Sequence, residues 1–292
     1  MNVLSLFDGI RCGRVALERA GIEVENYYSS EIDKKAISIA NKNYPQDIVN
    51  MVGDVKLISC NKLPKIDLLI GGSPCQGFSM AGKQLNFDDD RSKLFFEYVR
   101  ILKELKPKYF LLENVKMKKE YEDIITNYLG IKPIKINSNL FSAQDRDRIY
   151  WTNISFDIDI KDKNIYIDDI LEENVDIKYF LKDTRLDYTN YDKSKVDKTT
   201  HKSTPIQIGN SRNFGNAVRS NGKAYTLRRV NPNGILTESY KIRHYTPIEC
   251  ERLQNLPDNY TKLDGVTDKD RYEMLGNGWT VDVISHIFKG LK

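Results

Sequence analysis

The chain has 292 residues, 40% of them apolar and 29% charged, with a net charge of +4. That is enough apolar material for one large domain, or for a main domain with a smaller companion. Four cysteines with no C-x-x-C pair, and only three histidines, argue against a structural zinc site and a disulfide framework. The first apolar run is interrupted by Asp8, so nothing resembles a signal peptide or a membrane span, and a reducing, cytoplasmic compartment is expected.

The first half alternates strand and helix patterns. Residues 3–7 form an apolar run, and Asp8-Gly9 turns the chain into a helical segment that ends before Gly21. Residues 27–30 predict a second strand, and residues 34–43 a helix with Asp33 as its N-cap. Residues 67–70 are a third strand, apolar in the manner of one buried on both faces of a parallel sheet. In residues 92–105 the spacing of Leu94, Phe95, Tyr98, Val99 and Leu102 predicts a helix, and residues 108–112 a further strand. This β-α-β-α order predicts an α/β protein with a mostly parallel, doubly wound sheet, whose ligands bind beyond the carboxyl ends of the strands.

After Trp151 the pattern loosens. Residues 160–242 are rich in Asp, Asn, Lys and Tyr, with many turn residues, and a small irregular domain is expected there. Order returns at Thr246-Pro247, with a helix over 248–253 and an amphipathic helix over 281–291. The expected division is 1–160, 161–242 and 243–292, the last returning to the first domain. Charge is uneven too. Residues 201–243 carry eight Lys or Arg against one acid, Glu238, whereas residues 156–180 carry eight acids and three lysines. The basic stretch is an electrostatic footprint for a polyanion, and the acidic one reads as solvated surface.

Several strand ends carry polar residues. The Phe7-Asp8-Gly9 turn would bring a helix N-terminus toward a ligand, Glu31 stands about 20 residues later, where an acid commonly grips a ribose, and Asp54 marks another edge. Singly, each acid could serve as a helix cap; as an ordered set they suggest a nucleoside-bearing cofactor. "IGGSPCQGFSM", residues 70–80, follows the third strand, and Pro74 with the glycines would hold Cys75 in one exposed orientation. A thiolate there could act as a nucleophile, although a lone cysteine is more often an inert filler. "FLLENV" ends the next strand with Glu113-Asn114. Adjacent strands lie about 4.8 Å apart, so Cys75 and Glu113 should flank one crevice. In "QDRDRIYW", Arg146 and Arg148 are two apart, which on a strand points both to one face. A thiol, a carboxyl group and paired guanidiniums converging on a cleft suit attack on a polarised ring.

At this point the sequence resembles the cytosine-5 DNA methyltransferase family. The ordered set is Phe7-Asp8-Gly9, Glu31, Asp54, Pro74-Cys75-Gln76, Glu113-Asn114-Val115, Gln144-x-Arg146-x-Arg148, Arg243-x-x-Thr246-Pro247-x-Glu249 and Gly276-Asn277. It spans nearly the whole chain apart from the variable stretch. The resemblance implies a Rossmann-like S-adenosylmethionine-dependent fold with a small target-recognition domain. It implies S-adenosylmethionine as methyl donor, S-adenosylhomocysteine as product, no metal, and a flipped-out cytosine in double-stranded DNA as acceptor. Carried over, Cys75 attacks carbon 6 of the base, Glu113 engages ring nitrogen 3, and Arg146 and Arg148 help hold base and loop. Phe7, Asp8, Gly9, Ile10 and Gly13 form the methionine-side turn. Glu31 binds the ribose, Ile32 packs on adenine, Asp54 and Val55 reach its edge, Pro74 and Leu94 line the pocket, and Asn277, Trp279 and Thr280 close it. Gln76, Ser79, Thr226, Leu227, Arg228 and Arg229 are the expected DNA contacts.

The family's first motif usually has glycines where this chain has Arg11 and Cys12; the form "FDGIRCG" is similar to the variant in vertebrate de novo DNA methyltransferases. A transfer RNA cytosine-5 methyltransferase is one alternative, but the Cys-Phe-Thr signature of that group is missing. A non-catalytic DNA-binding paralogue is another, yet the Pro-Cys pair and the Glu-Asn-Val triplet are intact. A dinucleotide oxidoreductase lacks its G-x-G-x-x-G here, and an amino-methyltransferase would need an Asp/Asn-Pro-Pro-Tyr/Phe loop. A minimal prokaryotic or phage enzyme in a bacterial or phage-infected cell is expected, monomeric and off the membrane, with a separately acting restriction endonuclease as a candidate partner.

Overall fold

The structure, a computed structural model, describes residues 1–74, 90–181, 201–207, 218–229, 233–239 and 241–291. By contact density the chain divides into two compact units: Met1–Ile136 with Asp147–Ile158 and Val283–Lys292, and Asn137–Arg146 with Asp159–Asp282.

The first unit is built on a six-stranded sheet of order β2-β1-β3-β4-β6-β5. Its strands are β1 (Asn2–Leu6), β2 (Asn26–Ser30), β3 (Leu68–Gly71), β4 (Tyr109–Val115), β5 (Ile134–Asn137) and β6 (Asp147–Thr152). Strands β2, β1, β3 and β4 are mutually parallel, with Leu6 opposite Ser30 and Gly71, and Gly71 opposite Leu112. Every residue of β3 is buried, as expected of a strand covered on both faces. From β1 the chain moves to one side for β2 and to the other for β3, so the strand order reverses at β1. In a doubly wound sheet the crevice beyond the carboxyl ends at that point is where ligands bind.

Local chemistry sets the helices α1 (Cys12–Arg19), α2 (Lys34–Asn43), α3 (Asp90–Leu105) and α4 (Lys119–Leu129). Asp33 caps α2, its carboxylate accepting from the backbone N–H of Lys35 at 2.9 Å and of Ala36 at 3.4 Å. Gly130 ends α4 in the left-handed region, φ 69°. Phe95, Tyr98, Val99 and Ile101 of α3 pack with Leu4, Leu69, Leu112 and Trp151 in one core. The fully buried Trp151 donates its indole N–H to the hydroxyl of Thr126, 3.0 Å away, and is thus a core residue. β3 lacks a side chain where it most needs room: a Cβ on Gly71 would lie 3.1 Å from the Tyr98 ring.

The structure departs from the expected elements at one place that matters. β4 continues three residues beyond 112, because β6 returns antiparallel beside it and pairs Glu113 with Tyr150, Asn114 with Ile149 and Val115 with Arg148. Glu113 and Asn114 are therefore ladder residues, held as rigidly as the sheet.

The second unit contains a three-stranded antiparallel sheet of β7 (Thr204–Ile206), β8 (Gly234–Leu236) and β9 (Ile242–His244). Its helix Pro247–Leu253 starts one residue before the expected position, since Thr246 and Glu249 form a capping box with Pro247 at the first turn. Residues 243–282, expected to return to the first domain, bond instead within the second unit: Thr246 donates to Glu172, and Arg252 to the Ile170 carbonyl at 3.0 Å. Only Val283–Lys292 belongs to the first. The expected helix over 281–291 is α-helical for Val281–Phe288 and then tightens into a 3-10 turn, Lys289–Leu291. Among the described residues no helix is long and apolar enough to cross a membrane.

Candidate active site

At the carboxyl end of β1 the backbone turns sharply. Phe7, Gly9 and Arg11 all have positive φ, 57°, 56° and 64°. For Phe7 and Arg11 this left-handed geometry costs about 1–2 kcal/mol each, a cost that surrounding contacts must offset. The Asp8 N–H donates to the Ser30 carbonyl at 3.1 Å, and the Arg11 N–H to the Asp8 carbonyl at 3.0 Å. The Gly9 N–H donates to one carboxylate oxygen of Glu31 at 2.8 Å, while the other accepts from Ile32 and Asp33 at 2.7 and 2.9 Å. The turn and the acid beyond β2 are thus one hydrogen-bonded unit. Of the roughly four acceptor sites of a carboxylate, three are occupied, which leaves capacity for a hydroxyl.

The side chain of Asp8 is turned into the protein interior. It is 2% exposed, accepts the Tyr27 hydroxyl at 2.6 Å and lies 3.5 Å from the Arg11 guanidinium. Burial pushes its carboxyl up from 3.8 to about 6, against the opposing pull of Ser5, Tyr27 and Arg11. The same burial, with the Asp8 charge, raises the Tyr27 phenol well above its ordinary value. Asp8 therefore spends both its backbone groups and its side chain on anchoring the turn.

Other expected cofactor residues divide likewise. Ile32 is 70% exposed, an apolar face without cover at the strand end, which suits a stacked aromatic base. Asp54 follows Gly53 (φ 72°) and caps a short helical turn, accepting from Lys56 at 3.0 Å. The Val55 side chain is buried in the core, its carbonyl accepting from Ile58 N–H and Arg100 at 3.4 Å each, and Leu94 packs half-buried against the same core. Ile10 and Gly13 are buried, and Pro74 is half-buried. An anchored acid with a free acceptor site, an uncovered aliphatic face and a tight glycine turn at the switch point together fit a nucleoside-bearing cofactor.

Beyond β3 the chain continues through Ser73 and Pro74, beside Asn114, whose amide lies 3.5 Å from the Ser73 carbonyl and hydroxyl. Cys75, Gln76 and Ser79 lie outside the described residues. One strand over, Glu113 is 8% exposed and its carboxylate pairs with Nε of Arg148 at 2.9 Å. The ladder sets this pair, because Arg148 stands opposite Val115.

Arg146 and Arg148 do not share a strand face, as their spacing suggested. β6 begins at Asp147, so Arg146 precedes it and is 2% exposed in the second unit. Its guanidinium donates to the carbonyls of Gly276 at 3.1 Å, Gly278 at 2.9 Å and Leu227 at 3.5 Å. It braces a junction of three chain segments, while Arg148 meets the carboxyl group. Gln144, fully buried, completes the brace: it accepts from Leu227 N–H at 2.9 Å and donates to the Leu253 carbonyl at 3.1 Å. A Cβ on Gly276 would come within 2.8 Å of the backbone of Arg228 and Arg229, so this position has no room for a side chain.

The expected DNA contacts are unequal. Leu227 is buried, and the Thr226 hydroxyl donates to the Asp145 carbonyl at 2.7 Å, so both hold their segment in place. Arg228 and Arg229 are exposed, and Arg229 is ion-paired with Glu273. Other cations of the basic stretch are engaged inside the unit. Arg219 pairs with Asp145, buried Arg243 grips Glu249 at 2.6 and 2.7 Å, and buried Lys223 donates to the carbonyls of Asn139 and Ile165. Asn277 is exposed at its helix end, Trp279 is half-buried, and the Thr280 hydroxyl is bonded to Gln254 and Ser138 at 2.8 and 3.0 Å.

A family model for C-5 cytosine-specific DNA methylases matches residues 1–292. The type II methyltransferase M1.ScrFI of Lactococcus lactis subsp. cremoris is 33% identical over 315 residues, covering 98% of this chain and 76% of its own length. The type II methyltransferase M.NlaX of Neisseria lactamica is 31% identical over 315 residues, covering 100% of this chain and 96% of its own. Among solved structures, the Entamoeba histolytica methyltransferase EhMeth shares the fold with a TM-score of 0.73 at 23% identity, covering 100% of this chain and 99% of its own.

Proposed function

The chain belongs to the C-5 cytosine-specific DNA methylase family, and from that membership we propose that Cys75 is its nucleophile, working beside the Glu113–Arg148 pair on a cytosine swung out of duplex DNA. The observation that carries this is the register of β3 against β4. Gly71 stands opposite Leu112, so the segment entering Cys75 leaves the sheet beside Glu113.

Carbon 5 of cytosine is a poor nucleophile. Addition of the Cys75 thiolate to carbon 6 forms a C–S bond and saturates the 5,6 double bond; its electron pair moves through carbon 4 to ring nitrogen 3, which takes a proton from the Glu113 carboxyl group and gives it back when the thiolate leaves. Arg148 fixes the carboxyl group for that contact. Carbon 5, now enamine-like, can take a methyl group; S-adenosylmethionine, when bound, supplies it on a positively charged sulfur. Loss of the carbon 5 proton to a base and expulsion of the thiolate restore the ring and free Cys75. Stacking hides carbon 6 in a duplex, so the base must be extruded first. Residues 161–242 serve as the target-recognition segment, with exposed Arg228 among the cations that can reach phosphate.

Duplex DNA containing 5-fluorocytosine tests the covalent step, because fluorine at carbon 5 leaves no proton to lose. The full chain should become trapped on such DNA as a denaturation-resistant adduct, and Cys75→Ser should not. Methyl transfer at the wild-type rate by Cys75→Ser would overturn the assignment. Bisulfite sequencing of DNA from expressing cells would reveal the target site, and bulk transfer RNA should accept no methyl group.

A further inference from the structure

We propose that Arg11 is a positioning residue for cofactor binding: its buried guanidinium ties the left-handed turn at residues 7–11 to the end of α2 and so holds the cofactor cradle in shape. The inference rests on the cofactor site of the proposed function.

Arginine is an unusual occupant of this position. Its backbone is left-handed, φ 64° and ψ 37°, at the cap of α1, where glycine would fit without strain. Its side chain is nevertheless 1% exposed. Nη1 donates to the Tyr44 carbonyl at 2.9 Å and the Ala40 carbonyl at 3.4 Å, both at the end of α2, and Nη2 to the Ser29 hydroxyl at 3.4 Å. Two carboxylates compensate its charge, Asp8 at 3.5 Å and Asp47 at 3.8 Å. An always-charged guanidinium enters an interior only where carbonyls and carboxylates receive it. Here those groups come from α2, β2, the turn itself and the short helical turn Pro45–Asn50.

The consequence reaches the ligand side. Arg11 holds Asp8 from below, and Asp8 directly precedes Gly9, whose N–H fixes the Glu31 carboxylate. Both ends of the cradle, the turn and the ribose acid, therefore depend on one anchored loop. A residue serving only the core would affect stability and leave cofactor affinity alone.

Arg11→Gly separates the two roles, since glycine keeps the left-handed backbone and removes the anchor. Arg14→Ala is the comparison. Arg14 belongs to the same cluster, 3.1 Å from Glu18 and 3.4 Å from Asp47, but makes no side-chain bond to the turn among those described. For the full chain, S-adenosylhomocysteine binding by calorimetry and KM for S-adenosylmethionine and for DNA would be measured, with thermal unfolding as the check of folding. In Arg11→Gly, the Kd for S-adenosylhomocysteine and the KM for S-adenosylmethionine should rise at least tenfold, while KM for DNA stays within threefold. Arg14→Ala should stay within threefold throughout. Wild-type cofactor affinity in Arg11→Gly, or equal weakening by Arg14→Ala, would overturn the proposal. Should Arg11→Gly fail to fold, Arg11→Lys decides: it keeps the charge but not the fork of donors, and must show the same selective loss, at least threefold. A wild-type chain that binds no S-adenosylhomocysteine would overturn the cofactor site itself, and this inference with it.

Discussion

Glu113→Gln is the most informative single change at the sheet end, because it keeps shape and hydrogen-bonding capacity while removing a charge and a transferable proton. The structure allows the cost to be worked out in two parts. Glu113 and Arg148 have side chains 11% and 12% exposed and are 2.9 Å apart. Breaking a fully buried pair by neutralising one partner costs about 3–5 kcal/mol. Arg148 keeps a bond of 2.7 Å to the Asp147 carbonyl and some water, so a smaller loss of roughly 2–3 kcal/mol of stability is expected. The catalytic part is separate. A positioned acid or base typically contributes about 10²–10⁴-fold, and glutamine retains the hydrogen bond, so methyl transfer should fall roughly 10²–10³-fold. Tritium-methyl transfer to duplex DNA reads the rate, and denaturant unfolding reads the stability. S-adenosylhomocysteine affinity should remain within about threefold, since Glu113 stands on β4, two strands away from the β1 turn, and this separates lost chemistry from a damaged fold. A variant that unfolds as expected yet transfers methyl groups within threefold of the wild-type rate would refute the catalytic role of Glu113.

Asp8 gives a pH signature. Its carboxyl titrates at about 6 in the folded chain against 3.8 ordinarily, so between these values the native state holds a proton that the unfolded state has lost. Stability must therefore fall as pH rises through that window, by about 3 kcal/mol in full. Measured by urea unfolding, wild type should lose about that much relative to Asp8→Asn between pH 4 and 7, and parallel curves would refute it. In the proposed recognition segment, Arg228→Ala should lower the slope of log K for DNA against log salt by about one. Arg229→Ala should lower it less, because Glu273 already neutralises that cation; fluorescence anisotropy with equal slopes for both variants would count against this difference.

The sheet, its strand ends and the capped helices were legible in the sequence because their signals are local. Asp33 caps residues two and three places on, Thr246 and Glu249 reciprocate within one turn, and the apolar run of β3 needs no partner to be recognised. The pairing that carries β4 on through Val115 was not legible. It depends on β6, an antiparallel return with no β-α-β signature, and only that pairing makes Glu113 a ladder residue rather than a loop residue.

The arginines show where such reading fails, and the reason is chemical. An arginine paired with a carboxylate leaves a trace in the sequence, since acids are a minority of residues: Arg243 and Glu249 fall in one motif and are bonded in the structure. An arginine received by backbone carbonyls leaves none, because every residue supplies a carbonyl. Arg146 bonds Gly276 and Gly278 across at least 130 positions, and Arg11 bonds Ala40 and Tyr44 across about 30. Their spacing and charge suggested a shared face at the substrate for Arg146 and only a departure from the usual glycines for Arg11. In fact each guanidinium spends its fork of donors on fixing a loop. The same logic thins the basic stretch from 201 to 243. Lys223 is taken up by carbonyls, and Arg219, Arg229 and Arg243 by carboxylates. A count of charges along the sequence thus overstates the cations offered to a polyanion. Among the described arginines of the stretch, Arg228, exposed beside the buried Leu227, carries no carboxylate partner, and its replacement should weaken DNA binding more than that of Arg229.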